Sequence, residues 1–306
     1  MTAFIFPGQG SQHAGMGRDF YSHFGEVKKL YDEASLTLGY DVADLSFNGP
    51  ADELNKTYRT QPCILVASIA ACTALRLKGI KPSVVAGHSL GEYSALVTAG
   101  SISFVDAVRL TEIRGRIMQD AVPEGRGMMA AILGISRDTV DALCKGVGTG
   151  YVSVANYNCP GQIVVSGERN AVEDLIVRAK ESGARRAVPL AVSVPSHCAL
   201  MEEAGKKFES ILKEIKIIDA ELPFINNTDA KFISAAEEIR SSLVRQLSRS
   251  VLWEDCIRSV KLRGINTYIE VGPGKVLSGL VKRIDEQAAI FNVEDISSLD
   301  KAISNL

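Results

Sequence analysis

Residues 84–96, "VVAGHSLGEYSAL", pass from strand to helix within one tight turn. "VVAG" is an apolar, β-branched run of the kind that forms buried strands, and "LGEYSALVTAG" reads as a helix with small residues on one side. Between them, Gly87 to Gly91 has the G-x-S-x-G pattern of a nucleophile elbow. The glycines permit a sharp turn that would expose Ser89 Oγ at a helix N-terminus, where the dipole favours negative charge. A chance glycine turn is the alternative, but the strand–turn–helix context favours a serine nucleophile in an α/β protein.

On both sides of this elbow, strand-like and helix-like runs alternate, which is typical of α/β folds. The pattern predicts a helix over 19–38 and an apolar helix that Thr60 and Pro62 open and Gly79 closes. From Gly127 onward the order becomes β-α-β-β-α-β, with "RRAVPLAVSV" as the last strand, as in ferredoxin-like folds. We therefore predict a large α/β domain over 1–125 and 195–306, with a small ferredoxin-like subdomain over 126–194.

The composition excludes several broad classes. The chain has 306 residues, of which 46% are hydrophobic and 23% charged, so it can bury a core and is not disordered. A net charge of −2 gives no reason to expect nucleic-acid binding. The six cysteines lack C-x-x-C spacing, and the apolar run 63–75 is too short to cross a bilayer. The residues before the first strand show no basic region and no apolar region, so we expect no signal peptide. We expect a cytoplasmic protein with no membrane contact.

The first strand leads into a glycine-rich loop, "AFIFPGQGSQHAGMG", residues 3–17. A dinucleotide fingerprint requires a third small residue where this loop has His13, and no Gly-Lys-Ser/Thr follows, so nucleotide binding is disfavoured. A structural turn and a loop that leaves its amides free for an anion remain open. In elbow folds an oxyanion hole pairs the amide after the nucleophile with one from an earlier strand's loop. Here these would be the N–H groups of Leu90 and Gln9.

Ser89 needs a general base, and the chain has only four histidines. We expect His23 and His13 to be exposed, and His88 to point away from Ser89 Oγ in a supporting role. His197 remains, in "VSVPSHCALM", where a strand, a proline and the start of a helix hold it at a junction. We expect His197 to be the base, with a structural junction histidine as the alternative.

Two further roles stay open at this point. A third group should orient the imidazole, and neither Asp106 nor Asp120 lies in a recognisable strand-end motif, so the triad acid is undetermined. Arg114 lies on the helix after the elbow helix, and by default it would be a surface residue. If it instead faced the cleft, its guanidinium could bind a carboxylate with two hydrogen bonds and select acyl groups that end in one.

Taken together, these motifs resemble the malonyl-CoA:acyl carrier protein transacylase family from end to end. The stretches that carry the resemblance are "FPGQGSQ", "GHSLGEYSAL", "RGRIMQDAVPEG", "NYNCPGQIVVSG", "VPSHCALM", "LVRQL" and "EVGPGKVLSGLVKRI". The resemblance implies an α/β-hydrolase-like core with a ferredoxin-like insert. It also implies a role for each candidate residue. Ser89 would be the nucleophile and His197 the base, and the backbone carbonyl of Gln246 would take the place of the triad acid. The amides of Gln9 and Leu90 would bind the oxyanion, and Arg114 would bind the malonyl carboxylate.

The family's reaction is ping-pong transfer of malonyl from malonyl-CoA to the phosphopantetheine thiol of acyl carrier protein, with no metal or redox cofactor. Carrier proteins are acidic, and residues 231–283 carry ten Lys and Arg against five Asp and Glu. We therefore expect docking near Lys275, Lys282 and Arg283, and a monomer that serves fatty acid synthesis. The alternatives are a serine thioesterase or other hydrolase that uses the same elbow, and a non-catalytic scaffold that binds carrier protein.

Overall fold

The computed structural model describes residues 1–123, 125–190, 192 and 194–306. Its strands, numbered along the chain, are β1 Thr2–Phe6, β2 Val84–Gly87, β3 Gly127–Leu133, β4 Val152–Cys159, β5 Gln162–Glu168, β6 Arg186–Pro189, β7 Phe224–Ile225, β8 Phe232–Ile233, β9 Thr267–Val271 and β10 Ala289–Val293. Its α-helices are α1 Arg18–His23, α2 Gly25–Leu38, α3 Val42–Asn48, α4 Ala51–Leu54, α5 Thr57–Leu77, α6 Gly91–Thr98, α7 Phe104–Asp120, α8 Arg137–Gly146, α9 Arg169–Glu181, α10 Glu202–Leu212, α11 Ala236–Gln246, α12 Trp253–Leu262, α13 Val276–Ile284 and α14 Ile296–Asn305.

The larger sheet has the strand order β10-β9-β1-β2-β7-β8. Its strands pair in parallel except at the β7–β8 edge, and helices cover its apolar faces. The α/β class predicted from the alternating pattern is confirmed. Because β1, β2 and β7 are parallel neighbours, the segments that follow them leave the sheet at one edge, as ligand sites in open α/β sheets do. This edge receives the glycine loop, the elbow and the segment that begins with Asn226.

The smaller sheet contains β3 to β6 in the order β4-β5-β3-β6, with every neighbouring pair antiparallel. Helices α8 and α9 pack against it and share an apolar cluster with it. The β-α-β-β-α-β element order predicted from the sequence is therefore the order observed. The domain limits at 125/126 and 194/195 stay a prediction.

Several predicted boundaries are wrong. The helix expected over 19–38 is interrupted at Phe24, where extended backbone (φ −122°, ψ 120°) separates α1 from α2. The apolar helix α5 begins at Thr57, ahead of the expected start, so Pro62 lies inside it. The strand expected over 185–194 is limited to β6: its register with β3 ends at Pro189, and among the described residues beyond it one further backbone bond reaches β3, from the Leu190 N–H to the Met129 carbonyl at 2.9 Å.

Helix α5 is also longer than the apolar run from which its length was argued. At 21 residues it is long and apolar enough to cross a membrane, but 83% of its most apolar window is buried inside the protein. A buried helix of this composition is typical of a protein core, so burial, and not insufficient length, is the reason to read it as a core helix.

Candidate active site

The elbow between β2 and α6 has the geometry that its glycines predict. Ser89 has a left-handed backbone conformation (φ 53°), which is strained for a non-glycine residue and typical of functional positions. A Cβ at Gly87 would lie 1.9 Å from the Gly91 carbonyl carbon, and a Cβ at Gly91 would lie 2.1 Å from the Phe6 oxygen. Both positions therefore require glycine, because the chain crosses itself there with no room for a side chain.

The glycine-rich loop after β1 packs directly on this elbow. A Cβ at Gly8 would lie 2.5 Å from the His88 carbonyl oxygen, and the His88 N–H donates to the Phe6 carbonyl at 3.0 Å. Gln9 lines the same cavity as Ser89. Among the described residues, the N–H groups of Gln9 and Leu90 have no hydrogen-bond acceptor. Free amides beside the nucleophile are the arrangement that an oxyanion hole requires, so the loop favours an anion over a purely structural turn.

Ser89 and His197 form a hydrogen-bonded pair. Ser89 Oγ lies 2.8 Å from His197 Nε2, and His197 Nδ1 lies 2.8 Å from the Gln246 carbonyl oxygen. A carbonyl can only accept, so Nδ1 carries the proton and Nε2 presents its lone pair to the hydroxyl. Burial, reinforced by the positive charge of Arg114, lowers the pKa of His197 to about 3, so the imidazole is neutral at physiological pH.

No carboxylate of the described chain contacts this imidazole. Asp106 instead caps the start of α7 together with Ser103, and Asp120 ends the same helix. The open question of the triad acid therefore has a structural answer: the group bonded to His197 Nδ1 is the backbone carbonyl of Gln246.

Arg114 is not a surface residue, which overturns the default expectation. It is 1% exposed and points from α7 into the cavity beside Ser89. Its Nη1 donates to Gln61 Oε1 at 2.8 Å, and its Nη2 donates to Ser89 Oγ at 3.1 Å and to Gln246 Oε1 at 3.0 Å. Its buried Nε has no acceptor among the described residues. A buried guanidinium with spare donors beside the nucleophile can bind an anionic end of an acyl group.

The cavity around these groups has a volume of about 120 Å³. Apolar side chains supply much of its wall, including those of Met118, Met129, Leu190 and Val194. A second cavity of about 200 Å³ shares Gln9, His88, Asn156 and Leu190 with the first, and α13 lines its far side. Apolar walls weaken solvent screening inside the first cavity and so strengthen the charge interactions of Arg114. The shared residues place the second cavity next to the first, on the side of Gln9 and His88.

The other three histidines lie where the sequence predicts. His13 and His23 are exposed. His88 points away from Ser89: its Nε2 lies 2.9 Å from Asn158 Oδ1, and its ring packs edge-on against Trp253. Burial lowers the pKa of His88, so it supports the elbow as a neutral imidazole.

The sequence reasoning missed three residues that hold these groups in place: Asn227, Gln61 and Glu92. Asn227 Oδ1 accepts the Ser89 N–H at 2.7 Å, and its Nδ2 donates to the Gly87 carbonyl at 2.8 Å. Gln61 holds one arm of Arg114. Glu92, in the quoted stretch, is fully buried although it belongs to a helix of small and apolar residues. That one charged residue was the available signal; for Asn227 and Gln61 the sequence carries no comparable one.

A serine and a neutral histidine, with free amides and a buried arginine in one cavity, define a serine acyl-transfer site on an α/β fold. The chain belongs to the acyl transferase domain family, which matches residues 3–301. It is 46% identical to the malonyl CoA-acyl carrier protein transacylase of Escherichia coli K12 over 303 residues, 98% of each chain. It is likewise 46% identical to the transacylase of that name from Haemophilus influenzae over 301 residues, which are 97% of this chain and 96% of that one.

Solved structures agree with this assignment. A malonyl-transacylase in complex with its type II PKS acyl-carrier protein superposes with a TM-score of 0.97 at 47% identity, covering 100% of this chain and 99% of that one. An acyl carrier protein S-malonyltransferase from Vibrio cholerae gives a TM-score of 0.96 at 45% identity, covering 98% and 99%. The family resemblance indicated by the sequence motifs is confirmed.

Proposed function

We propose that this protein transfers malonyl groups from malonyl-CoA to the phosphopantetheine thiol of an acyl carrier protein through a malonyl-Ser89 intermediate. The observation that carries the proposal is the contact of Ser89 Oγ with both His197 Nε2, at 2.8 Å, and Arg114 Nη2, at 3.1 Å. One atom is thus adjacent to a base and to a cation that matches a free carboxylate. The relatives bear the malonyl CoA-acyl carrier protein transacylase name and support this reading over the hydrolase alternative.

In the first half-reaction His197 Nε2 accepts the Ser89 hydroxyl proton as Oγ attacks the thioester carbonyl. The carbonyl oxygen becomes an oxyanion that accepts from the N–H groups of Gln9 and Leu90. Loss of one such donor typically costs about 3 kcal/mol in the barrier. The tetrahedral intermediate collapses, the C–S bond breaks, and the leaving coenzyme A thiolate takes the proton from His197.

In the second half-reaction the acceptor thiol gives its proton to His197 and attacks the malonyl-Ser89 ester. The C–O bond to Ser89 breaks, and the proton on His197 returns to Ser89 Oγ. Throughout, the Gln246 carbonyl accepts from Nδ1–H and keeps the imidazole aligned. All of these steps use side chains and backbone groups of the chain itself. A cytoplasmic location and a monomeric state remain predictions.

The malonyl carboxylate is expected to pair with Arg114, and this pairing has a second effect. The charge of Arg114 lowers the pKa of His197. A carboxylate beside Arg114 offsets that charge, so it strengthens the base at the moment when the correct acyl group is bound. Acetyl-CoA lacks the carboxylate and provides no such compensation.

The test is to mix the protein with malonyl-CoA without an acceptor, and to measure intact mass followed by peptide mapping. We expect one malonyl adduct on the Ser89 peptide, discharged by holo acyl carrier protein and missing in Ser89→Ala. Free malonate without a stable adduct would indicate a hydrolase, and unreacted malonyl-CoA would contradict catalysis. Arg114→Ala should lose at least tenfold in malonyl transfer and gain relative activity with acetyl-CoA, whereas a hydrolase need not change its selectivity.

A further inference from the structure

Glu92 is a fully buried carboxyl group that the proposed steps do not use. It lies in the first turn of α6, three residues after Ser89, and has 0% exposure. Transfer of a carboxylate from water into a protein interior is costly unless hydrogen bonds or charges compensate. The contacts of Glu92 therefore indicate what its burial achieves.

Both carboxyl oxygens of Glu92 accept hydrogen bonds. Oε1 accepts from the Asn227 N–H at 2.5 Å, and Oε2 accepts from Gln246 Nε2. Neither partner can accept a proton from Glu92, so the contacts suit the carboxylate form. Burial raises the pKa of Glu92, while the Asn227 N–H, the charge of Arg114 and the Gln246 amide oppose that rise. Because both oxygens face donors and neither faces a proton acceptor, we assign Glu92 the carboxylate form.

The contact with Glu92 helps to fix the orientation of the Gln246 side-chain amide. Gln246 Nε2 donates to Glu92 and, at 2.9 Å, to the Ser89 carbonyl, while its Oε1 accepts from Arg114 Nη2 at 3.0 Å. Glu92 as a carboxylate and the Ser89 carbonyl can only accept, and a guanidinium can only donate. Only one orientation of the amide satisfies all three contacts, and it turns an oxygen towards Arg114.

We propose that Glu92 is a positioning residue for substrate selection: by orienting the Gln246 amide, it aims the Arg114 guanidinium into the acyl cavity and so favours acyl groups that end in a carboxylate. The inference rests on the proposed role of Arg114. Gln61 accepts from the other side of the guanidinium, at Nη1, independently of Glu92. Without Glu92 we therefore expect the Arg114 guanidinium to change its orientation in the cavity but to stay buried there.

The base does not depend on this arrangement. His197 Nδ1 is bonded to the Gln246 backbone carbonyl, which a change in the side-chain amide leaves in place. Selectivity and intrinsic serine reactivity can therefore be measured separately. A role of Glu92 in stability alone would not alter the ratio of malonyl to acetyl transfer in the folded enzyme.

The first variant is Glu92→Gln, which keeps the shape but replaces one carboxyl oxygen with an NH2 group that faces a donor. The backbone N–H of Asn227 cannot turn, so we expect the new amide oxygen to stay on Asn227 and the new NH2 to face Gln246. The Gln246 amide is then expected to turn over and present its own NH2 to Arg114. We expect the KM for malonyl-CoA in Ser89 acylation to rise at least tenfold, and the malonyl-to-acetyl ratio to fall by a similar factor. The rate of Ser89 modification by a neutral organophosphorus reagent should stay within about threefold of wild type.

Gln246→Ala is the second variant, and it tests the proposed role of the Gln246 amide if Glu92→Gln does not fold. It removes the amide but keeps the carbonyl that accepts from His197, so we expect the same loss of selectivity. Glu270→Gln is the matched control, because Glu270 is also a 0% exposed carboxyl that accepts two N–H groups, those of Leu277 and Ser278. We expect it to lower stability and leave the malonyl-to-acetyl ratio unchanged.

Arg114→Ala, measured in parallel, separates this proposal from the one on which it rests. A wild-type ratio in Glu92→Gln and Gln246→Ala, with the ratio lost in Arg114→Ala, would overturn the role of Glu92 alone. A wild-type ratio in Arg114→Ala as well would overturn the role of Arg114, and the inference with it. An equal loss of selectivity in Glu270→Gln would assign the effect to general destabilisation.

Discussion

His197 must accept a proton as the base, yet its buried position disfavours the charged imidazolium. It is 4% exposed, and its backbone has a left-handed conformation (φ 60°), which the Leu247 carbonyl helps to hold by accepting the His197 N–H at 3.0 Å. Burial depresses its pKa, so the resting imidazole is neutral and its Nε2 lone pair is available to Ser89 at neutral pH. Negative charge that develops on a bound substrate stabilises the imidazolium and so favours proton transfer.

This depressed pKa predicts a pH-dependent stability. The folded-state pKa is about 3 against an ordinary value of 6.5, so between these values the unfolded chain binds a proton that the folded chain does not. The stability contribution is complete above pH 6.5 and is lost as the pH falls towards 3, at up to about 1.4 kcal/mol per pH unit. Urea unfolding at pH 4 to 6 should show a steeper loss of stability for wild type than for His197→Gln. Parallel pH profiles would contradict a neutral, buried base.

At the level of secondary structure, the site depends on close packing between the end of β1 and the start of α6. The Phe6 carbonyl accepts the His88 N–H and also lies where a Gly91 side chain would be. The elbow can form only because the two backbones touch. The nucleophile, the oxyanion loop and the strand edge are thus one rigid unit.

We therefore expect Gly91→Ala to destabilise the protein by at least about 2 kcal/mol, because the new methyl would meet backbone that cannot move aside. Ser89 acylation should fall with it, since the elbow must open. Gly279→Ala is the matched control: Gly279 lies in α13 with nothing within 4 Å of an added Cβ. It should raise stability by about 0.5–1 kcal/mol. Thermal unfolding of both variants tests this, and equal melting temperatures would contradict the packing argument.

Across the whole molecule, α13 connects the site to the surface where a carrier protein is proposed to dock. Leu277 and Leu280 line the second cavity, while Lys275 and Lys282 are exposed on the same helix or at its start. Arg283 is exposed but engaged, since it donates to the Pro160 carbonyl at 2.9 Å and to Gln162 Oε1 at 2.7 Å. Of the three residues proposed for docking, Arg283 thus also joins α13 to the β4–β5 turn.

Lys275 pairs with Glu294 at 3.8 Å and Lys282 donates to the Glu286 carbonyl, but within the described chain neither lysine contacts the β4–β5 turn, so the two lysines are the sharper test of docking. Lys275→Glu combined with Lys282→Glu should raise the KM for holo acyl carrier protein at least fivefold, because the carrier is acidic, and the effect should shrink at high salt. Self-malonylation by malonyl-CoA should stay at the wild-type rate. Lys81→Glu is the control, an exposed charge reversal just before β2, at the opposite end of that strand from the elbow. An unchanged carrier KM in the double variant would place the docking surface elsewhere.

Local pattern was sufficient for the elbow, for the alternation of helices and strands, and for the element order of the small sheet. Backbone sterics and side-chain periodicity act between near neighbours, so a short stretch such as 84–96 carries them. The same limits explain the boundary errors. The ends of α5 and β6 depend on packing and pairing with distant segments, which a local pattern does not contain.

The direction and partners of the catalytic side chains came from packing between remote segments. Arg114 could be read as a surface residue because its acceptors, Gln61 and Gln246, lie 53 and 132 positions away. Glu92 contacts Gln246 across 154 positions, and His197 reaches its carbonyl partner across 49. The residues themselves indicated His197 as the base, the family resemblance implied Gln246 as its partner, and Glu92 had no assigned role. The role of a buried charged residue depends on the hydrogen-bond donors that surround it, and tertiary packing brings those donors together from distant parts of the chain.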